Sequence, residues 1–478
     1  MLNENYMDGN NLKKNMKIIV ILILLMLFVI YFNWSTLNPF IPDNPNVPNV
    51  VLSNNDRILI MAPHPDDESI ATGGLIQNAI DKGIPVHVVF LTNGDFNVWS
   101  YTLYEKIPML TSSQALELGE IRRQEALNAI KELGLSEKDA TFLGYPDYGT
   151  SEILYYHWGN NPPYQSILTR KTEVPYSKAL SPGAPYKGES IMKDIEAVIN
   201  DFGPTKIFVS HPDDHHPDHR AMFVFTIVSL WEIRKEVEIY PYLVHYRNWP
   251  LPLDYHPNYF LDPPSYDHGI VWKELPMKSI NVQTKFSALK KHVTQYEANK
   301  KYLNSFIRTN EVYGNFEDIS LGITQVDISL NKNEIQKSPP QEFNDSQKDA
   351  FVRIEAQSAK IENDKLVLRY AISEPFKERT DLFVYVYGYK HDTDFSKMPK
   401  INIKVGLNNY GVYDQKIPIP KENCEVKKTP TEIIIKIPLK IIGNPDKILF
   451  SARTAMGPLS LDLMPWRIGI IDTDGQER

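Results

Sequence analysis

Two short stretches of this 478-residue chain concentrate side chains that hold metals and move protons. One is Pro63-His64-Pro65-Asp66-Asp67-Glu68. The other runs from Ser210 to Arg220, SHPDDHHPDHR, and four of the chain's twelve histidines fall between positions 211 and 219. The single cysteine, Cys424, excludes a disulfide scaffold and a cysteine-rich zinc site, so any metal must be held by His, Asp and Glu. Imidazole and carboxylate suit zinc, and a catalytic zinc keeps three protein ligands and an exchangeable water whose pKa it lowers to about 7. An unligated carboxylate can take that proton, and an acid or cation opposite must stabilise an oxyanion. His64 and Asp67, three residues apart, can reach one metal across a turn, which frees Asp66 to be the base. His216 and His219 repeat this spacing, with Asp218 between them available to orient a ring. His211, Asp214 and His215 compete as ligands. One such cluster alone reads as a capped helix start. Two, each following a strand and preceding a helix, read as a site.

The elements that must position these residues alternate. Strands are expected at 57–62, 86–94, 141–147 and 206–210, and helices at 69–81, 116–133, 191–202 and 222–233, with a long late helix at 283–306. Apolar strands separated by helices of this length form a parallel sheet, whose ligands sit at the strands' carboxyl ends. Thr92 ends the second strand at that edge. Residues 148–187, rich in Pro, Tyr and Gly, read as a long loop over the site. After about Gly322 the strands at 365–372, 381–389, 401–407 and 432–439 are β-branched and helix-free, an all-β, sandwich-like module. Tyr145, Trp158 and Tyr164 are candidates to stack on sugars. Tyr385, Tyr387 and Tyr389 share one strand face, as a carbohydrate platform or as a core or seam.

The amino terminus is different. Residues 18–32 are an unbroken apolar run, with Lys13, Lys14 and Lys17 before it and Trp34 after it. This predicts a retained anchor with its lysine flank in the cytoplasm and everything beyond it exported. Pro39, Pro42, Pro45 and Pro48 recur every third residue, the polyproline period of a stalk. The expected organisation is a tail at 1–17, an anchor at 18–34, a stalk at 35–50, a catalytic domain at 51–322 and a β module at 340–478. The expected location is the cell membrane, single-pass, with the body extracytoplasmic and the bilayer as one partner. With 51 Lys and Arg against 59 Asp and Glu, the net charge of −8 argues against a nucleic-acid partner.

PHPDDE (63–68) with DHHPDHR (214–220) closely resembles the paired motifs of the PIG-L/LmbE family of zinc-dependent N-deacetylases. The segments at 119–134, 144–147 and 289–306 are similar to that family too, and the resemblance covers about residues 55–316. It implies a Rossmann-like parallel sheet flanked by helices, and removal of acetyl groups from N-acetylglucosamine-containing glycans or glycolipids. It implies Zn2+ held by His64, Asp67 and His219, with Asp66 as general base. His216 would be the oxyanion stabiliser and acid, oriented and kept charged by Asp218. Arg122 or Arg123 would contact substrate; Thr92 is a candidate contact by its place at the strand end alone, where a plain strand-ending turn is the alternative. A metal-dependent phosphodiesterase, or a non-catalytic glycan-binding protein on the same fold, is the competing reading.

Overall fold

In the order β3-β2-β1-β4-β5, five parallel strands form the central sheet: β1 (Ile58–Ala62), β2 (Val86–Thr92), β3 (Ala140–Tyr145), β4 (Lys206–Ser210) and β5 (Glu238–Tyr242). β1 and β4 are buried along their whole length, as their near-continuous apolar runs require of strands covered on both faces. The computed structural model describes residues 47–97, 110–264, 269–329 and 337–471. The expected tail, the expected anchor and residues 35–46 of the expected stalk lie outside them. Among the described residues no helix is long and apolar enough to cross a membrane.

The connecting helices are α1 (Asp67–Asp81), α2 (Ser112–Glu132), α3 (Thr150–Tyr156), α4 (Gly188–Phe202) and α5 (Pro217–Glu232). The chain winds from β1 through β2 to β3 on one side, then returns to add β4 and β5 on the other. The switch therefore falls between neighbours β1 and β4, where loops diverge and leave a crevice. The two His/Asp clusters are the loops that leave those two strands.

Two expectations need correction. The stretch 148–187 is not loop throughout, because α3 occupies its start. The expected helix 283–306 is two helices, α6 (Ser279–Leu289) and α7 (Val293–Asn304), broken around His292. No proline or glycine causes the break. His292 is instead turned inward, its Nε2 2.8 Å from Glu68 Oε1, and Glu125 accepts from Thr294 N and Oγ1 at the start of α7. Antiparallel β6 (Ile270–Pro276) and β7 (Asn310–Phe316) flank these helices. Pro48 and Val50 exchange backbone hydrogen bonds with Glu274 on β6.

The carboxyl-terminal part has two mostly antiparallel sheets. One combines β9 (Val326–Ser329), β10 (Ile354–Glu362), β11 (Lys365–Ile372), β16 (Glu425–Lys428) and β17 (Glu432–Pro438). The other combines β8 (Ile319–Leu321), β12 (Asp381–Tyr389), β13 (Lys400–Val405), β14 (Tyr410–Asp414), β15 (Ile417–Ile419), β18 (Lys447–Met456), β19 (Leu459–Leu463) and β20 (Arg467–Ile471). Side chains of both sheets share one apolar core, the arrangement of a sandwich. The outer face of β12 is the seam with the α/β body. Tyr385 stacks on Tyr155 at 4.3 Å, the Tyr389 hydroxyl donates to Trp231 O, and Tyr387 is buried. That face is covered, so it is no carbohydrate platform. Arg220, on α5, crosses the seam to donate to Ser451 Oγ and Met464 O, while the Trp466 N–H donates to Pro212 O.

This seam makes the β part a structural support of the second His/Asp loop. Trp466→Ala should lower unfolding stability by about 3–5 kcal/mol, the usual range for emptying a buried tryptophan site. A chain ending at Ser338 would uncover Tyr155, Trp158 and Phe225 and should not yield a soluble fold. A cooperative thermal transition from that fragment would show that the α/β body stands alone.

Candidate functional site

Three side-chain atoms converge in the crevice between β1 and β4. Asp67, the first residue of α1, places Oδ2 3.4 Å from His64 Nδ1 and 3.2 Å from His219 Nε2. All three side chains are buried. The short turn from Ala62 to Asp67 brings His64 back over the helix start, where Asp67 Oδ2 also accepts the His64 backbone N–H. His219 lies in the first turn of α5, so the same strand-to-helix geometry delivers it from the other side.

Each imidazole is held from behind by carboxylates. His64 Nε2 is 3.2 Å from Asp147 Oδ1 and 3.3 Å from Asp218 Oδ2, and His219 Nδ1 is 3.1 Å from Asp214 Oδ2. Burial pushes His64 down, but Asp147, Asp218 and Asp67 together carry it well above the ordinary histidine range. Burial likewise opposes Asp214 and Asp67 at His219, and the acids win, raising it to about 9. Asp67 is held well below the carboxylate range against its burial, by His219 first and then His64. Four acids around two imidazoles favour a cation where the three atoms meet. Neither ring nitrogen of the buried His219 makes a hydrogen bond of acceptable geometry, although each has a carboxylate oxygen 3.1 or 3.2 Å away. A ring nitrogen orphaned inside such a donor set fits a metal, with the carboxylates behind orienting the ligands. Three sets of side chains have ligating atoms close enough to share an ion: His64, His216 and His219; His64, Asp147, His216 and Asp218; and Asp67, His219 and His245.

Asp66 sits beside this cluster in a strained conformation, φ 128°, that few non-glycine residues adopt. Glu68 holds it there, since Oε2 accepts the Asp66 N–H at 2.9 Å while Oε1 is bonded by His292 and Ser69. The Asp66 carboxylate is raised to about 6, mainly by burial and against the opposing charge of Arg122. That is the range of a general base near neutrality. Arg122 Nη2 donates to Pro65 O at 2.7 Å and stands 3.5 Å from Asp66 Oδ2, while Nη1 donates to Gly94 O. Gly94, at φ 70°, admits that guanidinium, and a Cβ there would lie 2.1 Å from Nη1.

The expected substrate contacts fare unequally. Arg122 faces the site but is engaged in clamping the Asp66 turn. Arg123 does not face it, because its side chain bonds Glu120 and packs over Phe142. Thr92 is wholly buried, its hydroxyl tied to Pro63 O, so it joins two strand ends and meets no substrate. Tyr145 and Trp158 are fully buried, and Tyr164 packs on His157. His211 lies against Trp272, with its Nδ1 accepting the Asp213 N–H, and His215 lies against Tyr246. Asp214 orients His219 and is no direct member of the trio.

Asp218 does not orient His216 through its carboxylate, which is occupied by the Tyr148 N–H, by the N–H and hydroxyl of Thr150, and by His64. The orientation comes from the Asp218 backbone instead. His216 is the N-cap of α5, and its Nδ1 accepts the Asp218 N–H at 3.2 Å. A ring accepting at Nδ1 is neutral with its proton on Nε2. Its pKa agrees, since burial and then His64, His245 and His219 hold it well below the ordinary value. The charged His216 expected from the sequence is therefore replaced by a neutral donor. Asp147 and His245 were missed, although each lies just beyond a strand's carboxyl end, where position alone points to them. Among the described residues His245 packs against the rings of His219 and His216 at 4.8 and 5.1 Å.

Comparison with known proteins adds the family. Residues 59–229, spanning both His/Asp loops, match the family described as PIG-L: GlcNAc-PI de-N-acetylase. The chain is 28% identical over 185 residues to the probable N-acetyl-alpha-D-glucosaminyl L-malate deacetylase 2 of Bacillus subtilis, covering 38% of this chain and 63% of the relative. It is 28% identical over 186 residues to the 1D-myo-inositol 2-acetamido-2-deoxy-alpha-D-glucopyranoside deacetylase of Mycobacterium sp. (strain KMS), covering 37% and 53%. The match thus spans little more than half the length of these curated relatives. Among solved structures, the N,N'-diacetylchitobiose deacetylase of Pyrococcus horikoshii aligns at TM-score 0.33 and 20% identity over 52% of this chain and 75% of that one. The two loops, the arginine clamp and the carboxylate behind His64 all fall inside the matched stretch, and the chain carries a PIG-L family domain over residues 59–229.

Proposed function

We propose that this chain is a zinc-dependent N-deacetylase that removes the acetyl group from N-acetylglucosamine-containing glycans or glycolipids of the cell surface. The observation that carries this reading is the meeting of His64 Nδ1, Asp67 Oδ2 and His219 Nε2 next to an Asp66 carboxylate poised near neutrality. Both curated relatives are named for deacetylation of an acetamido sugar, which supports the substrate class. Zinc held by His64, Asp67 and His219 would polarise the acetamide carbonyl and acidify the attacking water.

The protein groups supply the rest. Asp66 takes one proton from the water as its oxygen bonds to the carbonyl carbon. His216 faces the developing oxyanion with a neutral Nε2–H and donates a hydrogen bond to it. When the C–N bond breaks, the proton held by Asp66 passes to the departing amine, leaving acetate and a free amino sugar. Arg122 acts through position, fixing the Pro65 carbonyl and with it the Asp66 turn.

His64→Ala should abolish metal binding, measured by elemental analysis, because it removes one of three ligands. Asp66→Asn should retain metal and lose about 10²–10⁴-fold in kcat. Metal loss in Asp66→Asn equal to that in His64→Ala would make Asp66 a ligand and overturn its role as the base. Acetate release by the full chain, scored across N-acetylglucosaminides, oligomers and glycolipids, tests the reaction itself, and a wild-type enzyme inert on all of them would refute it.

We further propose that the body is exported behind a membrane anchor at residues 18–34, supported by the apolar run and its lysine flank. Protease added to intact wall-less cells should then digest the catalytic domain. Its protection until lysis would place the enzyme inside.

A further inference from the structure

We propose that Phe96 and Tyr148 form an aromatic clamp for the pyranose ring of the substrate, an inference that rests on the acetamido-sugar reading above. Tyr148 is 49% exposed, although the residues on either side of its turn, Asp147 and Thr150, are buried. It also adopts φ 56°, a left-handed conformation that a non-glycine residue keeps only where its surroundings enforce it. Here the enforcement is specific. The Tyr148 N–H donates to Asp218 Oδ2 at 2.6 Å, and Thr150 bonds the other oxygen of the same carboxylate through its N–H and hydroxyl.

The ring so placed stands edge-on to His216, centroid to centroid 4.5 Å, and 5.3 Å from Phe96. Phe96 is half-buried and is carried in the same way, its N–H donating to Asp147 Oδ2 at 3.1 Å. Asp147 and Asp218 are the two carboxylates that hold His64 Nε2. The same pair of acids therefore fixes one ligand of the trio on one side and the two aromatic residues on the other. The Asp218 bonds fix the backbone and leave half of the ring open beside His216, where the face of a bound sugar would cover it. The His216 ring is shared between the trio and the clamp, its centroid 4.6 Å from that of His64. A sugar whose acetamide reaches His216 and Asp66 would lay its ring beside Tyr148 and Phe96. The C–H faces of a pyranose suit the electron-rich face of an aromatic ring.

The test compares two substrates that carry the same acetamide. Methyl 2-acetamido-2-deoxyglucopyranoside offers a ring face, and 2-acetamido-2-deoxyglucitol is its open-chain counterpart. For the full wild-type chain kcat/KM should favour the pyranoside. In Tyr148→Ala that preference should fall about three- to tenfold, chiefly through KM, as expected for loss of one stacked contact. Phe96→Ala should fall in the same direction, and Tyr148→Phe, which keeps the ring, should restore most of the preference. An unchanged ratio in both alanine variants would overturn the clamp, because a merely structural loss lowers both substrates together. If the wild-type chain released acetate from neither compound, no ratio could be read, and the deacetylase reading would stand or fall on the oligomers and glycolipids above. Titration of the methyl glycoside by ligand-observed NMR would then decide the clamp by itself. Binding to wild type that weakens in Tyr148→Ala would sustain it, and no binding or equal binding would refute it.

Discussion

Four aspartates buried at one crevice set the terms for everything around them. Asp67, Asp147, Asp214 and Asp218 are at most 4% exposed, and an unpaired carboxylate in that position would cost several kcal/mol. Each is therefore surrounded by donors, and the donors are the functional parts. Asp67 meets His64 and His219. Asp214 takes the N–H groups of His216, Val244 and His245 as well as the far side of His219. Asp218 collects the turn at Tyr148 to Thr150, and Asp147 collects Phe96. The requirement to satisfy buried charge draws the loops that follow all five strands into one arrangement, with His64 and His219 both held against Asp67.

The same economy explains where backbone strain is kept. Asp66 and Tyr148 both hold positive φ values, and both are restrained by a buried acid accepting their N–H, Glu68 in one case and Asp218 in the other. Neither residue is a ligand of the trio. In the proposed reaction Asp66 is the base and not a ligand, and a normal helical start would bring its side chain round with the helix. The φ of 128° sets it apart from Asp67 although the two are adjacent. His292, brought in by the break between α6 and α7, anchors Glu68 and so supports that separation from outside the family-matched stretch.

The sequence displayed the parts of this site that are local. Strand-to-helix junctions, the two dense His/Asp motifs and the i, i+3 spacing were all readable, because a short turn between a buried strand and a helix has few conformations. The parallel sheet followed from strands alternating with helices, and the β module from its helix-free run. What could not be read depends on contacts distant in sequence. Arg122 and Arg123 differ only in helix face, and the choice is made by Gly94 and Pro65, 28 and 57 residues away. The role of Asp218 was misjudged because its partners, Tyr148 and Thr150, lie some 70 residues upstream. His216 appeared to need a carboxylate to orient it, whereas helix capping, itself a local rule, already fixes its ring. Asp147 and His245 lie singly at strand ends and lack the density that marks the motifs.

The tyrosines of β12 show how a surface-like pattern can be a seam. Three aromatic residues at alternate positions describe a flat face, and a flat face fits a sugar or another domain equally well until its neighbour is known. Here the neighbour is α3 and α5, the two helices whose first turns meet at Asp218. Arg220 follows His219 directly and is fully engaged, bonding Pro212 within its own loop and Ser451 and Met464 across the seam. A guanidinium buried this way tolerates little displacement, since each lost bond would leave a buried donor unpaired. The β sheets thus restrain the loop that presents His216 and His219. Their distance from the reacting groups does not make them an accessory, because the contacts at Arg220 and Pro212 add to those by which the α/β body itself holds the second half of the site.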